Sequence, residues 1–407
     1  MVDDLAGKSV GERIRILRER KGMSRETLAG LVGKSASWLK DVERGRVREP
    51  KLSALVHLAL ALDIKDVSQL TGQPLPVPVS SWRQIPHPAI PAIREAIHAR
   101  PKKVQPESID LDNLETRVFG AWSTWHHSPT PRADVGRVLP ALITDCRTAV
   151  RSTEGNDRRR ARRLVSLVYA LCEQALAWSA EPELVWICAD RGINEAQEAD
   201  TPETIASAAW VLGNVRRAAT DFDGSIELID DAINLIRPYL ETGSDDLRGL
   251  WGSLHLHQAI TYARSGHEGE AWHYWDEANR TAERLGSGYV HPWTVFSEWN
   301  VAVHAVSIGA DLAKGSTARR KAEQVDPARI TSLERRSRLL IETARAYQLQ
   351  RDWAGSLMFL RQAYQVSPEA VKYQPIARRI VTDAVDGKVP LVQREATEFA
   401  QLLGIMV

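Results

Sequence analysis

Residues 23–45 read MSRETLAGLVGKSASWLKDVERG, and this stretch decides how the first part of the chain folds. The pattern predicts two short helices that are separated by a turn at Gly33, because glycine tolerates turn conformations that other residues resist. Ser35 stands where a side-chain oxygen caps the second helix. The apolar faces of the two helices comprise Leu28, Ala29, Leu31 and Val32 in the first, and Leu39 and Val42 in the second.

The opposite side of the second helix carries hydrogen-bonding, apolar and cationic groups, namely Ser37, Trp38, Lys40, Asp41 and Arg44. This mixture suits the edges of bases in a DNA groove, so the stretch is interpreted as a helix-turn-helix. The alternative is an ordinary helical hairpin with a solvated face.

The charge around this stretch differs from that of the whole chain. The full 407 residues have a net charge of +1, whereas residues 13–51 hold twelve Lys or Arg against five Asp or Glu. A local excess of cations beside a helix-turn-helix is typical of phosphate binding, although a solvated basic face remains the alternative.

The flanking residues supply three more helices. Val10, Ile14 and Leu17 recur at helical spacing before Gly22, and Pro50 begins a strongly apolar helix that contains Leu58. A last short helical turn follows over 66–70. Five helices therefore form one compact domain over residues 9–72.

These residues resemble the Cro/CI-type (XRE) family of DNA-binding domains. The matching positions are Ile14, Leu17, Arg18, Gly22, Met23, Ser24, Leu28, Ala29, Gly33, Ser35, Val42, Glu43, Gly45, Pro50, Leu58, Ala59, Ala61 and Leu62.

The XRE resemblance implies a structural ion pair between Arg18 and Glu43. It also implies double-stranded DNA as a partner, contacted through Arg25, Ser35, Ala36, Ser37, Trp38, Lys40 and Asp41, with Arg44 and Arg46 near phosphates. Trp38 has two interpretations, contact with a thymine methyl or packing onto the domain.

Residues 73–110 are predicted to be a linker. Six prolines lie between Gly72 and Pro91, which favours an extended spacer, and a short helix is expected over 92–99.

From Leu111 to Val407 the apolar residues follow a helical period and turn residues interrupt them at intervals, so the whole chain is predicted to be all-α. Small residues recur before short turns, at Ala170, Gly213, Ala259, Ala302 and Ala344. The units look like tetratricopeptide repeats, with a longer period than usual, and predict a TPR-like α-solenoid for sensing and dimerisation.

A solenoid presents one helix of each pair to its concave wall. Counting from the small residue of each unit, the candidate ligand-binding residues are Trp210, Asn214, Arg217, Trp299, Arg338 and Arg345. Asn hydrogen-bonds a peptide backbone and Arg binds carboxylates through two N–H groups. The alternative for each residue is an inter-helix contact or a solvated charge.

No catalytic motif, metal-ligand spacing or cofactor fingerprint emerges, so we expect neither an enzyme nor a cofactor. Cys146, Cys172 and Cys188 are expected to be reduced, buried thiols of a cytoplasmic protein. No apolar run is long enough to span a membrane, and the N-terminal residues give no secretory signal.

The combination of an XRE head and helical repeats resembles the RRNPP group of peptide-pheromone receptors, which act in quorum sensing. That resemblance implies a transcription regulator whose repeats bind a peptide or small signal and control a homodimer on a palindromic operator. The alternatives are a DNA-localised scaffold that recruits a protein through its repeats, and an antitoxin-like repressor that inhibits an enzyme.

Overall fold

A computed structural model describes residues 5, 8–32, 34–46, 50, 52–62, 64, 68–72, 86–99, 110–180, 182–387 and 389–405. Every regular element within these ranges is helical, which confirms the all-α prediction. The chain divides into two compact units, Met1–Ile85 and Pro86–Met406, and each is described separately. Over the described residues, no helix is long and apolar enough to cross a bilayer.

The first unit contains the five expected helices. They are α1 (Val10–Arg20), α2 (Arg25–Leu31), α3 (Ala36–Glu43), α4 (Leu52–Ala61) and α5 (Ser68–Thr71). Serine hydroxyls cap the first three, since the Oγ atoms of Ser9, Ser24 and Ser35 accept hydrogen bonds from backbone amides of the first turn. The predicted Ser35 cap is thus present, with 3.1 Å between its Oγ and Trp38 N, whereas Gly33 lies outside the described residues.

A core of fully buried aliphatic side chains joins these helices. Ile14, Leu28, Leu39 and Leu58 are each 0% exposed. They come from α1, α2, α3 and α4, so these apolar positions face one shared interior. Leu31 does not, because it is 56% exposed although the sequence pattern placed it on the apolar face of α2.

The second unit is a succession of helices joined by short turns. They are α6 (Ile90–His98), α7 (Leu111–His127), α8 (Pro131–Ser152), α9 (Gly155–Leu176), α10 (Pro182–Ala199), α11 (Pro202–Ala218), α12 (Phe222–Ile236), α13 (Asp245–Ser265), α14 (Glu268–Leu285), α15 (Glu298–Asp311), α16 (Gly315–Ala322), α17 (Leu333–Leu349), α18 (Trp353–Val366), α19 (Pro368–Tyr373), α20 (Pro375–Val385) and α21 (Pro390–Leu403).

The odd-numbered helices α7 to α17 form an inner layer, and the even-numbered helices α8 to α18 form an outer one. Each inner helix packs on the next, and α17 packs back on α7, so six inner helices close a ring. Polar contacts also join the first helices of the unit to later ones. His126 Nε2 of α7 lies 3.0 Å from Trp293 O, in the segment between α14 and α15. Glu369 Oε2 of α19 accepts a hydrogen bond from Arg132 N of α8 at 2.7 Å. The solenoid therefore completes one full turn.

The five small residues that suggested repeats lie one on each inner helix from α9 to α17. Gly213, Ala259 and Ala344 each precede by seven positions a turn residue with positive φ. The turns at Gly213 and Ala344 are built alike, because Ser225 and Ser356 donate to the carbonyls of these residues at 3.1 and 2.8 Å.

Ala170 and Ala302 depart from this register. They precede their positive-φ residues, Trp178 and Ala313, by eight and eleven positions. Bulkier Leu171 and Val306 occupy the equivalent places, which explains why these repeats match one another loosely.

Residues 86–99, which the sequence assigns to the linker, pack into the second unit instead. Ile90, Ile93 and Ile97 of α6 are buried in the core that α7 to α10 share, because an amphipathic helix gains by covering that apolar surface. The proline-rich residues 73–85 and the segment 100–109 lie outside the described ranges.

Candidate DNA-binding surface and ring interior

The ring interior is lined by charged side chains from several inner helices. Arg217 of α11 interacts electrostatically with Arg264 of α13, Asp311 of α15, Arg338 of α17 and Glu173 of α9. Direct contacts join three of these inner helices, since Asp311 of α15 pairs both with Arg264 of α13 and with Arg345 of α17.

Two carboxylates organise most of these arginines. Asp311 pairs with Arg345 Nη1 at 2.5 Å and Arg264 Nε at 3.3 Å. Glu342, only 1% exposed, pairs with Arg338 Nη2 at 3.0 Å and Arg345 Nη1 at 3.4 Å. Shared pairing of this kind fixes the geometry of partly buried guanidinium groups.

Burial shifts the pKa values of other interior groups in the direction that disfavours their charged forms. Burial raises the pKa of Glu173 to about 7, and burial together with the Arg335 guanidinium lowers the pKa of His304 to about 3. The pKa of His257 is also held well below its usual value, first by burial and then by Arg217.

Four of the six predicted ligand residues are brought together here. Asn214 contacts Arg217, with 2.6 Å between Asn214 Oδ1 and Arg217 Nη2, and Arg338 and Arg345 share Glu342. Their role in ligand binding stays a prediction.

The two predicted tryptophans are occupied elsewhere. Trp210 packs between two apolar clusters, and Trp299 lies 3.9 Å beneath the guanidinium of Arg329. Their indoles thus contribute to helix packing.

Sequence reasoning missed three interior residues, Arg264, Asp311 and Glu342. Arg264 and Asp311 each stand two positions before a positive-φ turn residue, Gly266 and Ala313. Alignment on the turns therefore places Arg264 and Asp311 at the same position of their repeats, whereas no such spacing singles out Glu342.

In the first unit, α3 is held by close backbone approach and by an ion network. A Cβ on Gly11 of α1 would lie 2.1 Å from Val42 O, so only glycine permits this contact. Arg18 Nε donates to Glu43 Oε1 at 2.6 Å, and its Nη1 to Met23 O at 2.8 Å. The Glu43 bond, offset by desolvation, raises the pKa of Arg18.

The predicted ion pair between Arg18 and Glu43 is therefore present, and it has a third member. Arg25 Nε donates to the other carboxylate oxygen of Glu43 at 2.6 Å. Arg25, assigned to DNA contact from the sequence, is thus tied at this nitrogen to the end of α3, with its side chain 39% exposed.

The free face of α3 and its flanks carry the remaining predicted DNA-binding residues. Five are exposed, namely Ser35, Ser37, Lys40, Arg44 and Arg46, and three are partly buried, namely Ala36, Trp38 and Asp41. Trp38 packs against the core, which favours the second interpretation of this residue. The 3.5 Å pair between Arg46 and Asp41 is solvent-exposed and hence weak.

A family described as helix-turn-helix domain matches residues 9–69, the segment that forms this scaffold. Residues 9–69 form a helix-turn-helix domain. The expectation that the chain is not an enzyme agrees with this match.

Similar solved structures share low identity with this chain. A structure of BtubC from P. vanneervenii is 14% identical with a TM-score of 0.37, over 58% of this chain and 94% of that one. Bacillus thuringiensis PlcR, in complex with the peptide PapR7 and DNA, is 9% identical with a TM-score of 0.30, over 87% and 99%. Apo ComR from S. thermophilus is 17% identical with a TM-score of 0.26, over 68% and 94%. No curated protein matches the sequence.

The structure refines the cationic surface of the helix-turn-helix domain. Arg13 and Arg18 are buried, and Arg13 Nε donates to Lys8 O at 2.9 Å, so neither adds to the exposed charge. Lys34, absent from the predicted site, is exposed beside the N-terminus of α3, with its amino group 5.9 Å from the Trp38 ring. This cation adds to the exposed positive charge at that end of α3.

Proposed function

We propose that this protein is a cytoplasmic, DNA-binding transcription regulator of the XRE type whose ring binds a peptide or small signal. The observation that carries the proposal is the exposed face of α3, where Ser37 and Lys40 stand clear of a domain core that fixes the helix through Gly11 and Glu43. A rigidly held helix with a polar outer face is what reading a major groove requires.

The contacts divide into two kinds. Ser37, Lys40 and Asp41 are proposed to reach base edges, and Arg44, Arg46 and Lys34 to bind phosphates. Because so few side chains read bases, specificity is proposed to depend on a homodimer that places two domains on a palindromic operator.

The ring supports the sensor half of the proposal. Its interior collects charged groups from five inner helices, whereas an interior with a structural role alone is filled by apolar side chains. A ligand that binds one arrangement of the dimer more tightly than another shifts the populations of the two arrangements. The free energy of DNA binding then changes by at most the difference between the ligand's binding free energies for them.

The test is a gel shift of the full chain on the promoter upstream of its own gene, across a salt series. Arg44→Ala with Arg46→Ala is expected to weaken binding to all sequences and to reduce the log–log salt slope by about 1.8 per bound subunit, or about 3.6 for the proposed dimer, since each phosphate contact contributes about 0.9. Arg280→Ala, on the surface of the second unit, is the control. An unchanged slope would contradict the assignment of the DNA-binding surface.

The same assay separates the sensor from its alternative. DNA binding that changes when concentrated culture extract is added supports a signal-controlled regulator. Binding that is indifferent to extract favours a scaffold whose repeats recruit a protein.

A further inference from the structure

Arg217 is a partly buried cation with no acidic partner in direct contact. Its Nη1 donates to His257 O at 3.1 Å and to Thr261 Oγ1 at 3.3 Å, and its Nη2 donates to Asn214 Oδ1. Its Nε is buried without a hydrogen-bond partner, and Arg217 forms no ion pair with any residue that the structure describes. Leaving the buried Nε–H of a partly desolvated guanidinium without an acceptor costs stability, so this arrangement needs a reason.

The acidic groups nearby do not compensate it. Asp311 is already shared by Arg264 and Arg345, and Glu342 by Arg338 and Arg345. Glu173, whose pKa burial raises to about 7, carries only part of a charge at neutral pH.

Two arginines contribute repulsion to the electrostatic surroundings of Arg217. Burial lowers the pKa of Arg217 most, and Arg264 and Arg338 lower it further, whereas Asp311 and Glu173 act in the opposite direction. An anion placed at this point would relieve the repulsion and fill the free donor position.

We propose that Arg217, flanked by Arg264 and Arg338, binds an anionic oxygen group of the signal, either a carboxylate or a phosphate. The Nε–H has no acceptor, and Nη2 carries a second N–H besides the one that Asn214 Oδ1 accepts, so the two nitrogens can donate in parallel to both oxygens of such a group. This inference depends on the proposed role of the ring as a ligand-binding site and specifies what the ligand must carry.

The test is thermal unfolding of the full chain in sodium phosphate, sodium acetate and sodium chloride at matched ionic strength. Phosphate or acetate is expected to raise the melting temperature of the wild type above its value in chloride, in proportion to the logarithm of concentration. In Arg217→Met the anion-dependent rise is expected to disappear. Arg280→Met, which removes an exposed arginine, keeps it.

A second variant covers the case in which Arg217→Met does not fold. Arg217→Lys keeps the charge but loses the planar fork, so the apparent dissociation constant for the effective anion is expected to rise about tenfold or more. A wild type that responds to neither anion beyond chloride, or variants with the full wild-type response, would overturn the proposal.

Two ligand sources remain to be distinguished by their chemistry. A pool of octapeptides with free C-terminal carboxylates is compared with the same pool as C-terminal amides. Stabilisation by the free acids alone indicates a peptide carboxylate, and a response to phosphate without one to peptides indicates a phosphorylated small molecule; both support the anion site. DNA binding that still responds to extract while no anion binds at Arg217 would overturn this inference and leave the proposed function standing.

Discussion

Replacing Glu43 by glutamine is expected to loosen α3 more than any other single carboxylate change in the helix-turn-helix domain. Glu43 is only 1% exposed, and its carboxylate accepts two bonds from Arg18, at 2.6 and 3.2 Å, and one from Arg25 at 2.6 Å. Glutamine keeps the volume but removes the charge, which leaves the exposed Glu19 as the one counter-charge that the described residues provide for the buried Arg18.

The magnitude follows from burial. Breaking a buried pair by removing one partner costs about 3–5 kcal/mol, and the lower end applies because glutamine retains one acceptor oxygen. The share due to Arg25 is discounted, since that side chain is 39% exposed and screened by water. A loss of about 3 kcal/mol corresponds to roughly a hundredfold change in the opening equilibrium.

The assay is native-state hydrogen exchange of the full chain, read at peptides that cover α1 and α3. Protection there is expected to fall about a hundredfold in Glu43→Gln while the ring helices are unaffected. Glu19→Gln is the matched control, because Glu19 pairs with the same Arg18 at 3.2 Å but is 57% exposed, so about 1 kcal/mol or less is at stake. Equal loss of protection in both variants would refute the reasoning.

Two further predictions concern the ring. Gly252→Ala is expected to destabilise it by about 1–3 kcal/mol, because the added Cβ would lie 2.1 Å from the Phe296 ring. Gly269→Ala is the control: no atom lies within contact distance of the added Cβ, so this substitution should stabilise its helix slightly. Urea unfolding measures both changes in the free energy of unfolding. Burial lowers the pKa of His126 in the folded protein to about 4. As the pH falls below 6.5, this histidine is protonated in the unfolded chain but not in the folded one, so the free energy of unfolding decreases between pH 6.5 and pH 4. Between pH 7 and 5 that loss is about 2 kcal/mol. His126→Gln should reduce the loss of stability that thermal unfolding measures between pH 7 and 5, whereas His127→Gln should not, because His127 is exposed. Equal pH dependence in both variants would contradict the assignment of this loss to His126.

Much of the DNA-binding domain could be predicted from the sequence because its signals are local. Ser35 caps α3, and Ile14 and Leu39 face one core at the spacing that periodicity requires. The pairing of Arg18 with Glu43 came from a resemblance and is present. The bond from Arg25 to the same carboxylate was not foreseen, because it joins residues 18 positions apart and depends on how α2 packs against α3.

For the repeats, the sequence by itself determined that the chain after Leu111 is helical, where small residues allow helices to approach, and that arginines are available. Only the tertiary structure decided that the inner helices close a ring, that Arg217 lies inside it without an acidic partner, and that Trp210 and Trp299 serve packing. The physical reason is range: a helical period is set by neighbours within four residues, whereas the field at Arg217 is the sum of charges on helices more than a hundred residues apart in the chain.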